Sequence, residues 1–174
     1  MSHHFTDLDR VTDEVHALFD GWARSGRFHA VLGPEGADVL RLAVHEWVAN
    51  LVQHASFPDG PRVSLDVEVG EAAVRVTLED TSAGFDFGRQ LERQREILDA
   101  PAPSERGRGL LMLVTCAEDL AFRPAADGVP QQIAFSVRPP SDALFAPFFR
   151  DEDLGAAPPP AYAGDGLASA LPPP

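Results

Sequence analysis

A chain of 174 residues and 18.7 kDa has room for one ordinary domain with length to spare, but not comfortably for two. With 44% hydrophobic and 24% charged residues it can bury a true core, which excludes a wholly disordered chain. Its 14 basic side chains other than histidine are all arginine, against 27 acidic ones; the resulting charge of -13 argues against a nucleic-acid partner. The lack of lysine excludes the GxxxxGK[ST] phosphate loop, the strand lysine of eukaryotic-type protein kinases and Schiff-base catalysis.

The first ten residues, MSHHFTDLDR, have neither the basic start nor the apolar run of a signal peptide, and no stretch approaches the roughly 20 apolar residues of a membrane span. The expectation is a cytoplasmic protein that contacts neither membrane nor nucleic acid. Leu8, Val11, Val15, Leu18 and Trp22 then recur at helical steps, predicting a helix that Ser25 and Gly26 end. A second helix is predicted from about Pro34, a residue suited to a first helical turn, to His54. Leu40, Val44, Trp47, Val48 and Leu51 form its buried face. Two alternating runs follow, Val63 to Val69 and Val74 to Leu78, joined by a turn at Gly70 and Glu71: a hairpin with one wet face.

From Thr81 to Arg106 the chain is polar and punctuated by Gly and Pro, with a short helix predicted around Phe87 to Leu98; connections of this length are commonly functional. Gly109 to Ala117 reads as a helix, in which Cys116 sits among apolar residues as a buried structural thiol. Alternating runs around Leu120 to Phe122 and Ile133 to Val137 flank a turn at Asp127 and Gly128. Helices beside hairpins predict an α+β fold, a two-layer sandwich with an antiparallel-rich mixed sheet and helices on one face. Composition changes near Pro139. The last 36 residues hold 9 of the 16 prolines, so residues 1–138 are expected to form the domain and 139–174 a largely disordered acidic tail. Within the tail, 141–154 clusters Leu144, Phe145, Phe148 and Phe149 as a candidate docking segment.

Three segments could carry chemistry together. Glu46 and Asn50 stand four residues apart on the second helix, about 40° from one another around its axis, with His54 one turn further. Asp80 ends the second strand and is followed by Thr-Ser-Ala-Gly84-Phe85, a small-residue turn. Arg106, Gly107, Arg108 and Gly109 then open a helix, where glycines let N–H groups approach an anion and guanidinium forks suit phosphate oxygens.

This ordered trio resembles the N, G1 and G2 boxes of the GHKL ATP-binding fold shared by gyrase, chaperone and histidine-kinase ATPase domains. RLAVHEWVANLVQHA, LEDTSAGFDF and SERGRGLLMLVTCAEDL look like the anti-sigma factor serine kinases of bacteria, over roughly Asp7 to Arg138. The resemblance implies ATP and Mg2+ as cofactors. Asn50 would ligate the metal through its amide oxygen, Glu46 would be the general base, and Asp80 would accept from the adenine amino group. His54, Gly84, Phe85, Gly107, Gly109 and Leu110 would border the nucleotide, Arg106 and Arg108 would contact phosphate, and the Thr81 to Arg106 stretch would be the lid. The implied function is sequestration of a sigma factor and phosphorylation of an anti-anti-sigma antagonist on serine or threonine, in a chain that can form a homodimer. The alternative is a nucleotide-gated binding module that transfers no phosphate.

One position departs from the family pattern. Ser82 replaces a glycine, and a positive φ there would cost serine about 1 kcal/mol or more. A zincin helix is excluded because HExxH would need histidine where Ala49 stands, and no dimerisation helix pair of a two-component kinase precedes the motif within this sequence. His3, His4, His16 and His29 read as surface residues.

Overall fold

The computed structural model describes residues 1–84, 86–98, 109–126 and 128–139. In chain order the elements are β1 (Ser2–Phe5), α1 (Leu8–Arg24), α2 (His29–His54), β2 (Val63–Val69), β3 (Val74–Asp80), α3 (Phe87–Leu98), α4 (Gly109–Cys116), β4 (Glu118–Arg123) and β5 (Gln131–Val137). The five strands lie in the order β1-β2-β3-β5-β4, and every neighbouring pair is antiparallel. The sheet is thus not mixed: the β2–β3 and β4–β5 hairpins, and the long helical connections from β1 to β2 and from β3 to β4, all leave neighbouring strands antiparallel.

The expected period of two gives the sheet one inward face: Val63, Leu65, Val67, Val74, Val76, Leu78, Ile133, Phe135 and Val137 are buried. Against this face pack Val11, Val15, Phe19 and Trp22 of α1 and the apolar side of α2, where Leu40, Val44 and Trp47 are essentially inaccessible. Helices on one face of an antiparallel sheet make the α+β, two-layer arrangement expected. No described helix is long and apolar enough to cross a membrane.

Two helix boundaries follow from local chemistry. Asp7 accepts from the Asp9 N–H as the cap of α1, while Gly26, at φ 65°, turns the chain out after Ser25. Gly33, at φ 68° and ψ 178°, breaks the path of α2, so that Pro34 restarts the helix at the predicted place, preceded by a short turn from His29. The Cys116 thiol is buried, as expected, and burial pushes its pKa up.

Two sequence expectations are corrected. β1 was not expected; it forms because its backbone pairs with β2, Ser2 opposite Asp66 and Phe5 opposite Val63, and Phe5 is buried. His16 is not a free surface residue. Its ring stacks on His45 of α2 with centroids 4.8 Å apart, and Nε2 lies 2.9 Å from Nδ1 of His45. The 140–174 part of the expected tail, with its docking segment, lies outside the described residues.

Candidate active site

The predicted strip on α2 faces a cleft. Glu46 and Asn50 are half-buried, His54 is exposed at the helix end, and all three line one depression with Gln53, Gln94 and Gly109. The depression has a volume of about 380 Å3, within the range of small-molecule sites.

Gly109 opens α4 directly against the acidic strip. A β-carbon there would overlap the Glu46 carboxylate and lie 3.4 Å from Asn50 Nδ2, so the backbone of α4 approaches the pair as only glycine permits. Asn50 donates from Nδ2 to the backbone carbonyl of Glu46 at 2.6 Å. That bond fixes the amide's orientation and leaves Oδ1 as its acceptor end, a hard oxygen of the kind Mg2+ takes. Among the described residues no three His, Cys, Asp or Glu side chains cluster to hold a metal. A divalent ion fits here only when most of its ligands come from phosphate oxygens and water, which is how Mg2+ is commonly bound beside a nucleotide.

The first turn of α4 offers N–H groups with no intrahelical partner. Leu110, expected to border the nucleotide, is wholly buried in the core and does not line the cleft. The Leu111 N–H is taken by Oε1 of Gln94, which reaches across from α3 at 3.2 Å and is itself nearly buried. The sequence reading missed Gln94. Its signal was a polar residue on the apolar period of a helix, since Phe87, Leu91 and Gln94 are the buried positions among the described side chains of α3. Phe87 stacks on Phe122 of β4 at 5.1 Å and lies 6.2 Å from Trp47 of α2, pinning the start of α3 to the core.

Asp80 lies elsewhere, at the end of β3, only 1% exposed. It does not line the Glu46 and Asn50 cleft. Its Oδ1 accepts from the Ser82 N–H at 3.1 Å and its Oδ2 from Nε2 of Gln131 at 3.1 Å. Asp80 is nevertheless tied to the end of α2. Ala83 donates to the Ser56 carbonyl at 2.7 Å, Thr81 donates from its backbone to the Arg62 carbonyl and from its hydroxyl to the Gly60 carbonyl, and so the turn after Asp80 is sewn to the segment leaving α2. Ser82 is not among the residues of positive φ. The glycine-to-serine departure therefore carries no backbone strain. The glycine that the turn does require is Gly84, at φ 109°.

Gln131, directly opposite Asp80 across the β3–β5 pair, was also missed. Its Oε1 and the Ser82 hydroxyl are buried without a hydrogen-bond partner. Each such group costs about 1–3 kcal/mol if nothing satisfies it. Of the remaining predicted site residues, Phe85, Arg106, Gly107 and Arg108 lie outside the described residues. The structure thus brings Glu46, Asn50, His54 and Gly109 together and sets Asp80 and Gly84 on an adjoining turn.

Comparison with known families bears on the same residues. The family model of the histidine kinase-like ATPase domain matches residues 9–130, a span that runs from α1 to the threshold of β5. No curated protein matches the chain.

Proposed function

Since the chain belongs to the histidine kinase-like ATPase domain family, we propose that it is an ATP-dependent protein serine/threonine kinase acting as an anti-sigma factor. In this reading it sequesters a sigma factor and phosphorylates a serine or threonine of an anti-anti-sigma antagonist. The observation that carries it is the seating of Gly109 against Glu46 and Asn50, which sets a carboxylate and an amide beside the N-terminal end of α4.

Each residue has a chemical part. The α4 N-terminus favours the negative charge of a triphosphate through its aligned peptide dipoles. Asn50 Oδ1 would be the protein's ligand for magnesium, which would supply charge neutralisation on the phosphates. Glu46 accepts the proton of the attacking serine or threonine hydroxyl as the phosphoryl group passes to that oxygen from the terminal oxygen of ADP. Asp80 reads the base from the far end. A net charge of -13 suits partners that present basic patches, and homodimerisation and partner recruitment by residues 141–154 belong to the same proposal.

The test is transfer of label. Full-length chain is incubated with γ-labelled ATP and the proteins it retains from a native extract. Label should appear on serine or threonine of one retained protein, and Glu46→Gln should slow its appearance by a factor of roughly 100 or more, the usual contribution of a general base. Equal transfer by the variant removes Glu46 from that role. Magnesium-ATP binding without transfer to any retained protein replaces the kinase by a nucleotide-gated binding module.

A further inference from the structure

Helix α4 is short, eight residues from Gly109 to Cys116, and its first turn carries the close approach of Gly109 to Glu46 and Asn50. The N–H groups of that turn have no intrahelical partner, so the turn frays unless a cap satisfies them. A cap is usually the residue just before the helix, whose side chain accepts from the second or third N–H. In this sequence that residue is Arg108, and a guanidinium carries donors alone. The local sequence therefore puts no side-chain acceptor at the cap position of α4.

Gln94 supplies the acceptor from another helix. Its Oε1 takes the N–H of Leu111, the third residue of α4, at 3.2 Å, which is the bond a local cap would make. Its side chain is 8% exposed and lines the same cleft as Glu46, Asn50 and Gly109. Burial of an amide costs free energy unless it is bonded, and the Leu111 N–H offsets that cost at a position where the period of α3 calls for an apolar residue. The bond serves α3 as well. Among the described residues it is the one hydrogen bond that links α3 to another element, since Arg89 and Gln90 bond only back to Asp86.

We propose that Gln94 is a positioning residue for the cleft: from α3 it caps α4, and so holds Gly109 against Glu46 and Asn50. Its effect on a ligand passes through α4, which makes the seat of α3 a condition for an assembled cleft. Without the cap the first turn of α4 opens locally, and Gly109, at its tip, is the first residue to leave. The consequence for nucleotide rests on the reading of the cleft as an ATP site; the consequence for α4 does not.

The test is amide hydrogen exchange of the full chain without ligand, beside calorimetric titration with magnesium-ATP. Gln94→Met keeps the side chain's length and removes the acceptor. It should speed exchange at Leu111 about tenfold, the size of one hydrogen bond, and leave the last turn of α4 as in wild type. At a temperature where the variant is fully folded, it should also weaken magnesium-ATP binding about tenfold. Gln94→Glu restores an acceptor at the same length and should return Leu111 to wild-type protection, a rescue that a packing role would not give; failure of that rescue, or unchanged exchange in Gln94→Met, overturns the cap. Faster exchange with unchanged affinity overturns the positioning role and leaves Gln94 a structural cap. If Gln94→Met does not give a cooperative melt, Gln94→Ala, which favours the α3 helix, carries the same two readouts with the same meaning. Wild-type protein that binds no magnesium-ATP defeats the nucleotide reading, a separate result, and exchange at Leu111 then still decides whether Gln94 holds the start of α4.

Discussion

A β-carbon on Gly109 would meet the flexible end of the Glu46 side chain and the Asn50 amide rather than rigid backbone. Ala at this position therefore displaces Glu46 more than it strains the fold. Alanine also favours the helix by up to about 1 kcal/mol over glycine, so the two effects on stability nearly cancel. Gly109→Ala should melt within a few degrees of wild type while losing tenfold or more in phosphoryl transfer. A thermal melt beside a labelled-ATP assay checks both halves, and loss of stability in step with activity would mean that the close approach is structural only. The same scale shows what was readable. Glu46, Asn50 and Gly109 were legible because helical spacing and a glycine at a helix start are sequence signals. Gln131 and Gln94 were not flagged, although each is a polar residue in an apolar period, because such residues announce burial without naming a partner. The reach of Gln94 to Leu111 joins two elements 17 residues apart, and no local pattern specifies it.

The elements were legible where periodicity was strong. The β2–β3 hairpin, α1, the Pro34 start and α4 all follow from it. β1 did not, because four residues containing two histidines carry no alternation to read, and its strand character comes from pairing with β2. Gly33 carries a test of the break before Pro34. Its φ of 68° with ψ of 178° belongs to a region essentially reserved for glycine, so Gly33→Ala should cost about 1–3 kcal/mol. Gly21, inside α1 with open space where its β-carbon would be, should instead gain about 0.5–1 kcal/mol on becoming alanine. Melting both variants beside wild type should give shifts of opposite sign, and two shifts alike would remove the conformational argument. The α1–α2 contact also responds to pH. Burial lowers the His16 pKa from its ordinary 6.5, and the charges of His45 and Arg41 lower it further, outweighing the opposite pull of Asp13 and Asp20. A lowered pKa in the folded state means that the unfolded chain takes up the proton first as pH falls. The stability tied to a neutral His16 is therefore complete above pH 6.5 and is lost progressively below it. Melts between about pH 7.5 and about pH 5.5 should show a decline in Tm that His16→Gln flattens.

At the scale of the whole molecule, the site exists only when distant segments are held together. The end of α2, the turn after β3 and the start of α4 converge because the Ala83 to Ser56 and Thr81 to Arg62 bonds tie the turn to the α2 exit, and because α4 packs along α2. The unfolded chain has no such convergence, so a nucleotide binds the folded state alone and must raise its stability by mass action. At a concentration about a hundred times Kd the gain is about 2.7 kcal/mol, or roughly 5–10 °C in Tm for a domain of this size. Magnesium-ATP should produce that shift, and magnesium-ITP, whose 6-oxo group would face the Asp80 carboxylate, should produce far less. Asn50→Ala should lose most of the ATP shift without lowering the ligand-free Tm by a comparable amount, since its amide is half-buried and, among the described residues, bonded only within its own helix. A shift that survives Asn50→Ala undiminished would show that the ligand is held without that amide, and an equal shift with ITP would show that the Asp80 end of the site does not read the base. Either outcome would uncouple one of the three segments from the others, and with it the reason for their convergence.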